Sequence, residues 1–373
     1  MKKLLYKTAF FVFPFFLLYL FSFKYYRLDK GDLIRLGYIP DIYNYDFRKL
    51  FAEDFKKNYN CTNFSEINLK KKNKFSVFTI GDSFSEQGSV GYPNYLEYNS
   101  DIEVLHLDRF LHDNPIETVN GFLNGNVLDS IKVDYIILQS VERSIVNRGI
   151  DFNKKSKINI DSLTNLINKH KEKLHEEVLK EKTKDKFFCR ETLKFPLNAI
   201  YYNFDDNAYS SKTYQVKTKQ NLFSTNNHKL LFLDDDYEVL SVNNNLSFVK
   251  TLNSELNMLA KRLKERGIKL IVLPSPDKLD FYYDDIINQN QYPKPLFFET
   301  MRSLDKNYIY IDSKKILKEN TSNIKDVYFY DDTHWSPVAS KIIADKIKSE
   351  IKNSENSTNA QQAFGKKAVS VLK

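Results

Sequence analysis

Residues 75–87 read FSVFTIGDSFSEQ. The run from Phe75 to Ile80, rich in aromatic and β-branched side chains, has the composition of a buried strand. Gly81 breaks that strand, and Asp82 and Ser83 follow at the turn. A serine just past the C-terminal end of a strand, in a glycine-led turn before a helix, presents its hydroxyl at the carboxyl edge of a sheet. Open α/β sheets bind ligands at that edge, and strand-to-helix nucleophile elbows share the logic. Taken alone, Gly-Asp-Ser is more often a turn or a helix cap than a nucleophile.

A second stretch about 250 residues on, Val327 to Ser336 (VYFYDDTHWS), raises the weight of the first. Another aromatic strand is predicted to run into Asp331, Asp332, Thr333, His334 and Trp335. Pro337 then opens a helix carrying Val338, Ile342, Ile343 and Ile347 at helical spacing. A serine nucleophile needs a base to take its proton, and the base needs a carboxylate to hold its tautomer. Asp331 and Asp332, three and two residues before His334, both qualify within one loop. Ser83 and His334 are each expected to follow a strand and precede a helix.

With these two blocks, the chain resembles the SGNH (GDSL-type) hydrolase superfamily. GDSF together with YDDTHWSP resembles its polysaccharide O-acetyltransferase branch, the alginate acetylation proteins and the SGNH domains of membrane acyltransferases. The segment LIVLPSPDKLDFY, Leu270 to Tyr282, resembles a Pro-x-Lys-x-x-x-Tyr motif of the alginate type. The resemblance spans residues 75–351 and implies a flavodoxin-like parallel sheet flanked by helices. It also implies a Ser-His-Asp triad with no cofactor. Lys278 and Tyr282 are then expected at the sheet edge, Lys278 either on substrate or at the surface. Asp82 and Trp335 flank the triad residues and are added as substrate-side candidates.

The chain departs from the superfamily at the oxyanion hole. No glycine follows the second predicted strand, Ile102 to Leu107, closely enough to assign. After the third, Asp134 to Leu138, the chain reads Gln139-Ser140-Val141-Glu142-Arg143, without the expected Asn. The backbone N–H of Ser83 is the remaining donor, with the Gln139 side-chain amide as a candidate second. Arg143 is expected either to pair with Glu142 or another acid, or to face substrate.

Lys2, Lys3 and Lys7 precede sixteen uncharged and mostly apolar residues, Thr8 to Phe23. With Leu4 to Tyr6 the stretch reaches the length of about 20 residues that spans a bilayer. No small-residue cleavage pattern follows, so residues 1–26 are expected to stay as an anchor rather than be removed as a signal peptide. The basic start favours an N-terminus inside and a domain outside the cytoplasm. With the resemblance, this implies a bacterial cytoplasmic membrane protein whose partners are a glycan acceptor and an integral-membrane acyl donor.

The formal charge of +8 over 373 residues comes mostly from dispersed lysines. No basic face is interleaved with stacking aromatics, which argues against nucleic acid. Cys61 and Cys189 are read either as one long-range disulfide or as two buried thiols. No His/Cys cluster supports a metal site, and Asp234-Asp235-Asp236 reads as a solvated turn more readily than a cation site.

Residues 27–73 read as a polar lead-in, and strands near 75–80, 102–107, 134–139, 268–273, 307–312 and 326–330 alternate with helical patterns. Asp161–Lys182, Phe248–Arg266 and Pro337–Ile351 are the clearest helices, and Gly267 stops the second. The catalytic domain is read as 74–352. It carries an insertion at about 145–247, expected as a lid or rim, and residues 353–373 form a loosely ordered tail. The reading that follows is a membrane-anchored acyl, by resemblance acetyl, transferase. An O-acetylesterase of the same fold is the alternative, and a non-catalytic glycan-binding or scaffold protein of an export complex the second.

Overall fold

A computed structural model describes residues 2–26, 31–40, 47–57, 59–179, 188–225 and 228–371. The elements that place the site are, in chain order, helix α1 (Lys2–Tyr25), α2 (Asp32–Gly37), strand β1 (Thr62–Asn63), β2 (Lys74–Ile80), α3 (Tyr92–Glu97), β3 (Val104–His106), α4 (Pro115–Asn124), β4 (Lys132–Val141), α5 (Glu142–Ile150), α6 (Ile160–Leu179), α7 (Arg190–Tyr201), β5 (Thr213–Lys217), β6 (Lys229–Leu233), α8 (Leu246–Lys264), β7 (Lys269–Ser275), α9 (Lys278–Tyr282), β8 (Ile309–Tyr310) and α10 (Pro337–Val371).

Six strands form one parallel sheet in the order β1-β3-β2-β4-β7-β8. Strands β3 and β4 lie on opposite sides of β2, so the chain reverses its direction of progress beside β2. That crevice is where open sheets of this flavodoxin-like order take their ligands. Both faces are covered, which is why β2, β4 and β7 read as near-continuous apolar runs rather than alternating ones. Val77, Tyr135, Ile137 and Ile271 pack on one side with Ile343 and Ile347 of α10. Phe78, Ile136, Leu138 and Val272 pack on the other with Val119 of α4 and Leu252 and Leu256 of α8.

Local signals set several boundaries. The Asn245 side chain caps α8 by accepting from the N–H groups of Ser247 and Phe248. Gly267 ends the same helix at φ +78°, where the Ile268 N–H reaches back to the Leu263 carbonyl. Ser336 accepts from Val338 N–H at 3.2 Å, and Pro337 occupies the first turn of α10.

Three expectations change. The predicted strand at 326–330 does not join the sheet. Residues 327–336 instead fold back on themselves through one antiparallel bridge between Tyr328 and Trp335, and the sixth strand is the short β1. The apolar run there is buried by loop packing, which periodicity cannot tell from a strand. The tail expected to be loose continues α10 to Val371. The disulfide alternative is not realised: Cys61 and Cys189 are free thiols, the first buried.

The insertion builds α6, α7 and the antiparallel β5–β6 hairpin. Asp234–Asp236 form the first turn of a short helix after β6, not a solvated turn, and Asp234 and Asp236 are buried. Among the described residues no cluster of three or more His, Cys, Asp or Glu forms a metal site.

Candidate active site

Ser83 stands three residues past the end of β2, at the crevice between β2 and β4. Its turn is locked from three strands. Gly81 is required because a Cβ there would collide with Ser85 Oγ and the Gln139 side chain. Gln139, at the end of β4, accepts from the Asp82 N–H at 2.9 Å and Ser85 Oγ at 2.8 Å, and donates through Nε2 to Ser275 Oγ of β7 at 2.9 Å. The Asp82 carboxylate accepts from Val141 N–H at 2.7 Å, Arg148 Nη1 at 2.9 Å and Phe84 N–H at 3.1 Å. Burial works to raise the Asp82 carboxyl, but Arg148 and these N–H groups outweigh it and hold the group below its ordinary range.

His334 reaches this turn from the 327–336 loop. Its Nε2 lies 2.7 Å from Ser83 Oγ, and its Nδ1 lies 2.6 Å from Asp332 Oδ1. An ionised carboxylate only accepts, so Nδ1 carries the proton and Nε2 accepts from the serine hydroxyl. Burial pushes the Asp332 carboxyl up, yet the hydrogen bond and charge of His334 win and keep it low, hence ionised. Phe84, fully buried, packs edge-on against Trp335 at 5.1 Å and lies 4.9 Å from the His334 ring. No described residue accepts from the Ser83 backbone N–H.

Of the two candidate aspartates, only Asp332 lies within hydrogen-bond distance of His334 Nδ1. Asp332 orients the imidazole, whereas Asp331 turns away and accepts from Gly31 N–H at 3.3 Å. Burial, and then the neighbouring Asp332 charge, push the Asp331 carboxyl up.

Several expected substrate contacts are instead internal. Lys278 is 1% exposed, and its ammonium donates to the carbonyls of Phe329, Tyr330 and Asp332 at 2.9, 3.0 and 3.2 Å. It pins the histidine loop from below and does not face substrate. Burial lowers its pKa to about 8 although Asp331, Asp332 and Asp32 pull the other way. Arg143 pairs not with Glu142 but with Asp277 at 2.6 Å and Asp236 at 3.2 Å. The Gln139 amide is buried and engaged with Ser275, so it is not placed as an oxyanion donor. Tyr282 is a buried aromatic beneath the loop and Trp335 a buried one within it, both packed into the core rather than exposed to substrate. Asp82 braces the turn, with its carboxylate fully taken up inside the protein.

Two contributors carry no local sequence signal. Arg148 lies on α5 and bonds both Asp82 and Ser140 Oγ. Asp32, 301 residues from Thr333, accepts from the backbone N–H and hydroxyl of that residue at 3.1 and 3.2 Å. Arg148 falls in the stretch read as an insertion and Asp32 in the polar lead-in, and nothing in either marks a partner that distant.

A parallel sheet of this order, with a serine after β2 facing an Asp-x-His loop before the last helix, has the architecture of an SGNH hydrolase-like domain. In agreement, residues 229–373 match the family described as SGNH hydrolase-like domain, acetyltransferase AlgX. The matched part contains Lys278, Tyr282, Asp332 and His334; Ser83 lies outside it and is brought to it by the fold. No curated protein and no solved structure matches the chain.

Proposed function

We propose that this protein is a serine-dependent acyl transferase, acting on a glycan outside the cytoplasm and passing an acetyl group through Ser83. The single observation that carries the reading is the Ser83–His334–Asp332 row, with both hydrogen bonds at 2.7 Å or less. The acetyltransferase family match supports the choice of acyl group. Ser83 Oγ attacks the acyl carbonyl carbon while its proton passes to His334 Nε2. The tetrahedral oxyanion takes a hydrogen bond from the Ser83 backbone N–H. His334 then gives the proton to the departing oxygen of the donor, leaving an acyl-serine. A sugar hydroxyl attacks that ester, its proton moving to Nε2, and collapse returns the proton to Ser83 Oγ as the acylated sugar leaves. Asp332 stabilises the imidazolium in both halves.

Water in place of the sugar hydroxyl gives an esterase by the same residues, so the acceptor decides between the two. The anchor read from residues 1–26 favours transfer at a membrane where glycan is exported. The test is turnover of p-nitrophenyl acetate by the full chain in detergent, with and without oligosaccharide acceptors. Transfer predicts faster nitrophenol release with acceptor and acetylated sugar in the product. Acetate alone, at a rate insensitive to acceptor, would assign an esterase.

A further inference from the structure

Helix α7 is amphipathic the wrong way round for a soluble domain. The side it buries against the protein holds Thr192, Phe195 and Asn198. Two of these are polar: Thr192 Oγ1 bonds Cys189 Sγ at 2.9 Å, and Asn198 Nδ2 donates to the Gly37 carbonyl at 3.0 Å. The outward side is a stripe of Leu193, Leu197, Ile200 and Tyr201, extended by Phe188 before the helix and Phe204 after it. Phe188, Leu193 and Phe204 are 76%, 62% and 84% exposed. A contiguous apolar stripe of this length on water is a contact surface.

What covers it is indicated by its neighbour. α7 packs on α1, which among the described residues is the one helix long and apolar enough to cross a bilayer. The Cys189 N–H donates to Tyr19 OH at 3.3 Å, and the Tyr19 and Phe188 rings lie 5.4 Å apart. One step on, the Tyr26 and Phe195 rings lie 6.2 Å apart. Contacts advance along both helices together, so the two run side by side. Phe188 and Leu193 therefore sit level with the last turns of α1, whose own outer surface is exposed phenylalanine and leucine. Lys24, in the last turn of α1, and Arg190, at the start of α7, are both exposed at that level, where anionic headgroups attract cations.

We infer that the apolar stripe of α7 seats in the lipid interface beside α1, its Phe188–Leu193 end deepest, as a second membrane contact of the domain. The inference rests on the reading of α1 as a retained anchor. Gly31 and Leu33, just past α1, bond to Asp331, and Asp32 bonds to Thr333. Anchor and seat together hold the candidate active site close to the bilayer, where an acyl donor or nascent glycan in the membrane is presented.

The test uses the full chain reconstituted in phosphatidylcholine–phosphatidylglycerol vesicles with brominated acyl chains, which quench nearby tryptophan. Phe16→Trp in α1, Leu193→Trp and Phe204→Trp on the stripe, and Met258→Trp on α8 across the sheet are compared with wild type, whose Trp335 is buried. All four replaced residues are exposed, so folding is not at issue. The inference predicts loss of emission at Leu193→Trp close to that at Phe16→Trp, a smaller loss at Phe204→Trp, and none at Met258→Trp. Loss at Phe16→Trp with none at Leu193→Trp would overturn the seat and leave the anchor standing. No loss at either would overturn the anchor reading and the inference with it.

Discussion

At the residue scale, the role of each side chain depends on which hydrogen bonds it has left to give. Asp331 and Asp332 are adjacent and both half-buried, yet only Asp332 meets His334 Nδ1. Asp332→Asn keeps the shape but presents an amide that favours the wrong imidazole tautomer. Its acyl-transfer rate is expected to fall roughly 10³–10⁴-fold, while Asp331→Asn stays within about tenfold, as steady-state assays would read. Equal losses would reassign the carboxylate. The serine and histidine stood out because an apolar run, a polar turn and a helical pattern were read around both, although only the run before Ser83 is a strand of the sheet. The sequence left the aspartate open because one residue of loop rotation exchanges the two carboxylates. It also misplaced Gln139, Lys278, Tyr282 and Trp335, since motif membership does not say whether a side chain points at the substrate or into the scaffold that holds the loop.

At the element scale the histidine loop has no sheet to belong to, and Lys278 takes the place of a ladder. Three carbonyls converge on one buried ammonium, so Lys278→Met removes the donor they share. The expected cost is roughly 2–4 kcal/mol in denaturant titrations. The variant also predicts a kcat loss larger than any change in KM, because His334 rather than the acceptor is displaced. Lys278 holds its third proton below about pH 8. Wild-type activity is thus expected to decline above that value, and the decline is expected to vanish from the Lys278→Met profile. An alkaline limb unchanged in the variant would show that Lys278 is not its source. The misread strand at 326–330 has the same origin. Val327, Tyr328, Phe329 and Tyr330 are buried, as strand residues would be, but against Phe223, Tyr282 and α10 rather than in a sheet.

At the scale of the whole molecule, the insertion and the sheet are joined by buried charge. Glu142, Asp236, Asp277 and Asp280 are buried around two cations, Arg143 and Lys314. Burial, with the charge of neighbouring acids, pushes Glu142 and Asp277 well above the ordinary carboxyl range, and burial pushes Asp236 up to about 6. A raised carboxyl keeps its proton in the folded state after the unfolded chain has released it. Its effect on stability is therefore most favourable at low pH and is lost as pH rises through the raised value. For Asp236 the window runs from about 4, the unfolded value, to about 6. Asp82 and Asp332 act oppositely but below that window, because their carboxyls are held low. Asp236→Asn is expected to flatten the fall of Tm with pH across the window, while leaving Arg143 its partner Asp277. A slope equal to wild type would place the proton elsewhere. The parallel α/β class, the helices and the apolar first segment were legible from period and composition. The Gly31–Asp32 latch and the Arg143 cluster were not, because each joins residues about a hundred or more positions apart through polar atoms that leave no periodic trace.

The most direct measurement is intact-protein mass spectrometry of the detergent-solubilised full chain after brief exposure to p-nitrophenyl acetate, with peptide mapping of the product. One acetyl group on Ser83 is expected, absent from Ser83→Ala and formed far more slowly in His334→Ala. A folded wild-type protein that acquires no acetyl group at Ser83, or acquires it equally well without His334, would contradict the proposed mechanism.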